Sequence, residues 1–248
     1  MKKLLLYVTI AILFSTIVAV LFSCAGGTKY YAPTTTIAVD SLYQITDEEI
    51  RSAFDAKPQL AIPVNLALYN LGFEETVFAD SLESFESIQQ VYPISPALIE
   101  GNAYYKRKSR PWLSHYQPPV QVNIRQLRLL AAQAKADLLL LYGIAFIENV
   151  ETNGLVWTHV LIIPGLFMPS FHVNATAEVD LYFIDVRNNL LYTYQHFSEE
   201  FSKRWVNYWY TENLEKVRRE LITRIRPKML EITNEVLTNP EFIVDQNK

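Results

Sequence analysis

The chain has 248 residues, with 22 basic and 26 acidic side chains and a formal net charge of −4. A mildly acidic protein lacks the basic footprint that nucleic-acid phosphates require, so the composition argues against nucleic acid as a partner. Cys24 is the single cysteine. Once its thiol is modified, neither a disulfide nor a cysteine-ligated metal centre can form.

The N-terminus is typical of a bacterial lipoprotein signal peptide at residues 1–23. Lys2 and Lys3 are followed by an uncharged apolar run, Leu4–Phe22, and a small residue, Ser23, directly precedes Cys24. We expect cleavage before Cys24 and a diacylglycerol group on its thiol. The apolar run is close to the about 20 residues that span a bilayer, so an uncleaved anchor helix is the alternative. Both interpretations place the chain at a membrane, facing away from the cytoplasm.

Residues 24–45 are predicted to be a flexible, lipidated tether, because Thr28 and the Pro33–Thr36 segment are polar or stiff and show no regular period. A single acyl chain holds a protein weakly, so further acylation of Cys24, such as palmitate, is expected. No aspartate follows Cys24. In enterobacteria this favours the outer membrane, so the predicted location is the bacterial cell envelope, at the outer membrane and facing the periplasm.

Residues 46–248 form the predicted folded domain, and its first half mixes helices with one clear strand. Thr46 to Glu49 reads as a capping box that opens a helix ending near Phe54. A period of two from Gln59 to Tyr69 predicts a strand, in which Pro63 suggests an edge position or a bulge. A second helix is predicted from Asp80 to about Val91. A proline-rich irregular stretch then surrounds the basic cluster at 106–110.

The second half is more regular. Asn123 is a plausible N-cap for a helix ending near Ala136. The predicted elements that follow are a doubly buried strand at 138–147, a strand at 155–163, an alternating strand from Val173 to Phe183, a turn at 185–189, a strand from Leu190 to about Phe201 and a helix at 211–237. Pro227 is expected to kink or split that last helix. This order predicts an α/β (α+β) fold, with a mixed, mostly antiparallel sheet flanked by helices and a long C-terminal helix.

Two segments carry a family resemblance. One is the helix that ends in Ala-Lys-Ala-Asp137 and continues into Leu-Leu-Leu-Leu-Tyr, and the other is the run from Ala177 through Asp185-Val-Arg-Asn-Asn to Tyr192. Both resemble the CsgG-like group of bacterial envelope lipoproteins. Trp157-Thr158 followed by Pro164-Gly165 is most similar to the rhombotarget lipoproteins within that group. The resemblance covers residues 57–237 and implies a CsgG-like α/β domain. The group includes subunits of the curli secretion channel.

No catalytic residue, cofactor or metal site is predicted. The seven glycines form no phosphate-binding loop or nucleophile elbow, and no histidine is followed by glutamate as in the metalloprotease helix motif. His159 and His172 are candidates for a metal pair, but two imidazoles without a third ligand favour ordinary histidines. Tyr104, Tyr105 and Trp112 around the basic cluster suggest a stacking patch, and a solvated loop is the favoured interpretation.

The apolar hairpin segment at 155–171 is the strongest candidate for contact with a partner or a membrane. If its tip is exposed, Leu166, Phe167 and Met168 form an apolar patch. Because Val160 to Ile163 show no alternation, core packing and partner contact are favoured over membrane insertion. The aromatic residues at 205–210 suggest a membrane-facing belt, and core packing is again the favoured interpretation.

The sequence therefore predicts a non-catalytic envelope lipoprotein that acts by protein–protein contacts at a membrane surface. Its expected partners are the membrane, through the lipid anchor, and an unidentified envelope protein, and an oligomer is possible. The alternative is an oligomeric subunit of a secretion or transport pore of the curli-export kind. A third class, an enzyme whose site has no recognisable motif, remains open.

Overall fold

The structure is a computed structural model of the chain, and it describes residues 28–31, 35–37, 46–71, 76–100, 120–152, 171–205 and 210–243. Five helices lie in these ranges: α1 (Asp47–Asp55), α2 (Thr76–Leu82), α3 (Pro96–Glu100), α4 (Ile124–Gln133) and α5 (Tyr210–Thr238). Eight strands lie there: β1 (Thr28–Tyr31), β2 (Thr35–Ile37), β3 (Val64–Asn70), β4 (Ile88–Pro93), β5 (Val120–Val122), β6 (Leu138–Thr152), β7 (Phe171–Asp185) and β8 (Leu191–Trp205).

The larger sheet is mixed. Its strand order is β4-β3-β6-β7-β8, and β1 also pairs with β6. Strand β3 runs parallel to both β4 and β6. Val186, after β7, donates its backbone N–H to the carbonyl of Asp137, before β6, at 3.1 Å, so these two strands run antiparallel. A tight turn then makes β7 and β8 an antiparallel hairpin. The predicted α+β fold class, with a mixed sheet, flanking helices and a long C-terminal helix, is confirmed.

Local sequence signals explain both predicted helix caps. The Thr46 hydroxyl accepts the Glu49 backbone N–H at 3.3 Å, and the Glu49 carboxylate accepts the Thr46 backbone N–H at 3.1 Å. The side chain of Asn123 accepts the Arg125 backbone N–H at 2.8 Å and opens α4. Each side chain satisfies a backbone donor that the first helical turn leaves open. Both predicted helix starts are confirmed.

The described residues divide between two compact units. The first unit comprises those within Met1–Tyr30, Phe146–Ala177 and Glu199–Ile222, and the second comprises those within Tyr31–Ala145, Glu178–Ser198 and Thr223–Lys248. In the second unit, α4 covers one face of the sheet with Leu127 and Ala131. The buried sheet residues in that cluster are Ala67, Tyr69, Leu139, Leu141 and Ile184. In the first unit, Val150, Val173 and Leu214 form a small buried cluster.

The predicted helix from Asp80 to Val91 is wrong. Helix α2 begins earlier and ends at Leu82, and the chain then forms strand β4 from Ile88. Val64 pairs with Ile88 but Asn65 pairs with Gln90, so one extra residue lies in β4 at this point. This irregularity puts two buried side chains of a strand, Ile88 and Val91, three residues apart, which is the spacing of a helix.

Two other details differ from the predictions. Strand β3 begins at Val64 rather than Gln59 and is paired on both sides, so the edge position suggested by Pro63 is wrong. The register irregularity lies immediately after Pro63. Helix α5 is continuous through Pro227 and is not split. Beyond Pro227, Met229 and Thr233 are buried, whereas Ile232 is half-buried.

Two short strands, β1 and β2, lie within the segment predicted to be a tether, and β2 pairs in parallel with β5. The β-branched run Thr35-Thr36-Ile37 suits an extended backbone. The strand predicted at 155–163 lies outside the described residues. Among the helices that are described, none is long and apolar enough to cross a membrane.

Candidate functional site

An open groove lies in the second unit, between the segment that precedes β4 and one face of α5. We call it the α5 groove. Its volume is about 850 Å³. The first wall is formed by Ile62 and the run from Ser84 to Ser87. The second wall is formed by side chains on one face of α5: Pro227, Leu230, Glu231, Asn234 and Thr238.

The first wall is held in place by backbone turns. Phe85 donates its N–H to the carbonyl of Leu82 at 3.1 Å, and Ile88 donates to the carbonyl of Phe85 at 3.0 Å. The carbonyl of Ser87 accepts the N–H of Val64 at 2.9 Å, which ties this wall to the sheet. A wall whose backbone is already bonded loses little conformational entropy when a ligand binds.

The α5 groove combines an apolar lining with negative charge. Phe85 and Leu230 supply apolar surface, while Glu86 on one wall and Glu231 on the other are exposed carboxylates. The described residues of the lining include no lysine or arginine. Opposite charges are favoured at such a surface, so the groove is electrostatically suited to a basic ligand.

Ser87 lines the groove with its hydroxyl group buried. Its residue is only 9% exposed, and its hydroxyl oxygen has no hydrogen-bond partner among the described residues. A buried hydroxyl without a partner is uncommon in a folded protein, because its desolvation is not compensated. The oxygen itself is buried, so a ligand in the groove does not reach it unless the wall rearranges.

A second candidate surface is a cluster on the β7–β8 hairpin, formed by Asp180, Tyr182, Tyr194 and His196, which we call the tyrosine cluster. The Tyr194 hydroxyl donates to Asp180 Oδ1 at 2.7 Å, and His196 Nδ1 lies 3.0 Å from the same oxygen. The rings of Tyr182 and Tyr194 stack with centroids 4.8 Å apart. Tyr194 is 46% exposed, so a large aromatic surface meets solvent.

The carboxylate of Asp180 controls the ionisation of this cluster. Its hydrogen bond raises the pKa of Tyr194 to about 12, since the bond stabilises the neutral phenol and the negative charge opposes a phenolate. Burial raises the pKa of Tyr182, and the charge of Asp180 adds to that effect. Both phenols therefore stay neutral donors at physiological pH.

The polar residues around the β7–β8 turn form a structural network. Buried Asp185 accepts the backbone N–H groups of Arg187 at 2.8 Å and Asn188 at 3.2 Å, and it accepts the Tyr192 hydroxyl at 2.7 Å. Asp137 accepts the guanidinium of Arg187 and the backbone N–H of Asn65. These carboxylates close the turn and align the strands. The run from Ala177 to Tyr192, which carries the second family resemblance, therefore has a structural role in this chain.

The residues predicted for membrane or partner contact lie outside the described part of the chain. This holds for the lipid-attachment residue Cys24, for the hairpin tip Leu166, Phe167 and Met168, and for the basic cluster at 106–110. Their roles stay predictions.

The proposed metal pair cannot be assembled from described residues. His159 lies outside them, and His172 Nε2 is 2.7 Å from the hydroxyl oxygen of Ser202. In the described ranges, no three side chains from histidine, cysteine, aspartate and glutamate come together as a metal site.

The α5 groove was missed from the sequence. The run Ser84 to Ser87 was predicted to lie inside a helix, which would scatter its side chains around an axis. The lining positions 227, 230, 231, 234 and 238 follow helical spacing on one face of α5. That spacing was the available sign of a shared face, but the prediction from sequence took only the apolar face of this helix into account.

Comparisons with known proteins identify no family for this chain. No family model matches the sequence, and no curated protein matches it. Among solved structures, the chain is similar to the hypothetical protein CT253 from Chlamydia trachomatis, with 11% sequence identity and a TM-score of 0.34. The match covers 74% of this chain and 99% of that one. At that TM-score the likeness carries no argument about fold or function.

Proposed function

We propose that the chain is a non-catalytic bacterial cell-envelope lipoprotein, anchored through Cys24, that acts by protein–protein contacts at a membrane surface. The anchor is inferred from the charged start, the apolar run and the unique cysteine after Ser23. Membership in the CsgG-like group is part of this proposal and rests on the two motifs that end at Tyr142 and Tyr192.

The α5 groove is the observation that supports contact with a protein. Glu86 and Glu231 offer negative charge on opposite walls, and Phe85 and Leu230 offer apolar surface. An extended segment with a basic side chain matches both features: its charge pairs with the carboxylates, and its apolar side chains cover the lining. Recognition of extended peptides commonly combines backbone bonds with side-chain pockets.

A pair of charge-reversing variants tests the groove. Glu86→Lys/Glu231→Lys reverses both groove carboxylates, while Glu83→Lys/Glu235→Lys makes the same change of charge at exposed positions in the same part of the chain that do not line the groove. We expect proteins crosslinked to the full chain in its native cells to be lost from the groove variant and kept by the control. Equal retention by two folded variants would contradict a role for the groove.

The anchor is tested separately. Cells that express the wild-type chain or Cys24→Ala are fed an alkyne fatty acid, and the chain is then assayed for the label and for its membrane fraction. We expect Cys24→Ala to lose the label and to retain its leader. An unlabelled wild type with its leader still attached would favour the anchor-helix alternative, and label on Cys24→Ala would contradict acylation at Cys24.

The pore alternative of the curli-export kind makes a different prediction. A pore subunit has to form a closed ring of many copies. Such a ring forms only when the rotation between neighbouring copies adds up to a full turn. The mass of the full chain in mild detergent, measured by light scattering with the detergent contribution subtracted, decides between the two. A discrete high-order ring would replace the contact proposal with the pore.

A further inference from the structure

Strand β8 ends the described order of the larger sheet. It is 15 residues long and pairs with β7 on one side only among the described strands. A long terminal strand presents backbone donors and acceptors that are a template for pairing with another chain. Natural proteins commonly block such an edge with charged side chains. The charges on β8 therefore determine which strand of another chain can pair with it.

The charges on β8 occur in a fixed order around its distal half, within the first unit. Glu199 and Glu200 precede Phe201 and Ser202, and Lys203 and Arg204 follow them. Alternate side chains of a strand share a face, so Glu199 lies on the same face as Lys203, and Glu200 shares the other face with Arg204. Each face therefore carries one acid and one base, four residues apart.

This order is self-complementary for antiparallel pairing. When two copies of β8 pair about a twofold axis at Phe201, Glu199 of each copy lies opposite Lys203 of the other. When the axis lies at Ser202, Glu200 of each copy lies opposite Arg204 of the other. In both registers the remaining acid and base are diagonal neighbours across the pair, a distance that long side chains span.

The registers two residues away are opposed by the same charges. Moving the axis two residues from Phe201 toward the start of β8 places Glu199 opposite its own copy, and moving it the same distance toward the end places Lys203 opposite its own copy. Like charges directly opposite each other destabilise a pair of strands. A block of one sign would repel a second copy in every register, whereas this mixed block selects two adjacent ones.

We propose that β8 is the interface of a twofold-symmetric homodimer, in which the strands of two copies pair antiparallel about Phe201–Ser202. The interface is isologous: each copy contributes the same strand and both sets of charges. The inference goes beyond the proposed envelope function, since it rests only on the sheet order and the charges of β8. Failure of the groove experiment leaves it untouched.

Charge swapping tests the dimer in the full chain, with its mass measured by light scattering in mild detergent. We expect the wild type to be dimeric, and Glu199→Lys/Glu200→Lys and Lys203→Glu/Arg204→Glu each to be monomeric at the same concentration. An equimolar mixture of the two variants makes every facing pair attractive and is expected to restore the dimer. The variant with all four changes restores it in one chain.

The control Glu83→Lys/Glu235→Lys changes the net charge by the same amount as Glu199→Lys/Glu200→Lys and is expected to stay dimeric. A wild type that is monomeric at all accessible concentrations overturns the proposal, and so does a dimer that both charge variants leave intact. A high-order ring also overturns it and favours the pore alternative.

A cysteine pair keeps the proposal testable if a charge variant does not fold. In a Cys24→Ala background, Ser202→Cys places a thiol at or next to the proposed axis. Ser198→Cys places one on the same face of β8, but the two copies then lie about 20 Å or more apart along the strands. We expect a short bifunctional maleimide to crosslink Ser202→Cys into a dimer and to leave Ser198→Cys uncrosslinked, since the reagent spans the diagonal as well as the directly opposite position. Equal crosslinking, or none from either, contradicts pairing at this axis.

Discussion

Glu148 on β6 and Arg218 on α5 form a buried ion pair in the first unit. Oε1 of Glu148 accepts Nε of Arg218 at 2.6 Å, and Glu148 has no exposed surface. The guanidinium of Arg218 also lies 6.0 Å from the centre of the Phe146 ring. The second carboxylate oxygen of Glu148 has no hydrogen-bond partner among the described residues. This pair ties the beginning of α5 to β6.

Removing one partner of this pair should be far more damaging than removing both. Arg218→Ala leaves the charge of Glu148 buried and uncompensated, and we expect it to lower the free energy of unfolding by about 3–5 kcal/mol. Glu148→Leu/Arg218→Met replaces the pair with apolar side chains and should recover most of that loss. Urea unfolding of the full chain in detergent, followed by circular dichroism, measures each difference.

The neighbouring Arg219→Ala is the matched control, since Arg219 is exposed and its Nε donates to the Glu215 carbonyl at 3.4 Å. We expect its effect to stay within about 0.5 kcal/mol. If Arg218→Ala behaves like this control, the ion pair does not hold α5 in place.

Tyr192 should stabilise the β7–β8 turn through its hydroxyl. That hydroxyl donates to buried Asp185 at 2.7 Å and accepts the backbone N–H of Gln59 at 3.1 Å. Tyr192→Phe leaves both groups without this partner, and we expect a loss of about 1–3 kcal/mol in the free energy of unfolding. Tyr194→Phe, which removes an exposed hydroxyl, should cost about 0.5 kcal/mol or less.

The same residue gives the stability a dependence on alkaline pH. Burial raises the pKa of Tyr192 above the ordinary value of 10.0, and its hydrogen bond to Asp185 raises it further. A group whose pKa is raised by folding contributes its full stability below the unfolded pKa and loses it as the pH rises toward the folded one. Above pH 10, we expect the wild type to lose stability more steeply than Tyr192→Phe. Parallel curves would contradict this.

The elements that the sequence predicted well are those in which one physical signal dominates. Residues 173–183 alternate strictly between apolar and polar, and the corresponding strand β7 alternates between buried and half-buried positions. The apolar run after Asp137 is buried on both faces, as expected for a strand with neighbours on both sides. Capping side chains at Thr46 and Asn123 set both predicted helix starts, because such bonds depend only on neighbours in sequence.

The predictions from sequence fail where tertiary structure overrides a local pattern. The register shift in β4 gave a strand the apolar spacing of a helix, between Ile88 and Val91, and the sequence carries no sign of it. The α5 groove brings together residues at 84–87 and 227–238, which are more than 100 positions apart. Neither segment carries a motif by itself, so only the folded chain places Glu86 and Glu231 in one surface.

Asp180 should control the ionisation of Tyr194. Because the hydrogen bond to Asp180 is the largest cause of the raised pKa of about 12, Asp180→Asn is expected to return the pKa of Tyr194 toward 10.0. The measurement is an ultraviolet titration of phenolate, taken as the difference between each chain and the same chain carrying Tyr194→Phe. An unchanged difference curve in Asp180→Asn would show that Asp180 does not hold this hydroxyl.

Lys135 provides a prediction of increased stability. It follows α4 with a φ of 58°, in the left-handed region that disfavours residues with a Cβ atom. Its N–H reaches the carbonyl of Ala132 at 2.9 Å and the next N–H, of Ala136, reaches that of Ala131 at 2.9 Å, so the conformation is fixed by the helix end. Lys135→Gly removes the steric cost and should raise the free energy of unfolding by about 0.5–1 kcal/mol.

Gln133→Gly is the control for Lys135→Gly, since the same glycine placed inside the last turn of α4 should lower the free energy of unfolding by about 1 kcal/mol. The opposite signs separate a local backbone effect from a general effect of glycine. If both variants lose stability, the helix end is not held in the left-handed conformation, and the junction from α4 into β6 is built differently. That junction positions Asp137. The same pair of variants therefore also tests the geometry of the polar network around the β7–β8 turn.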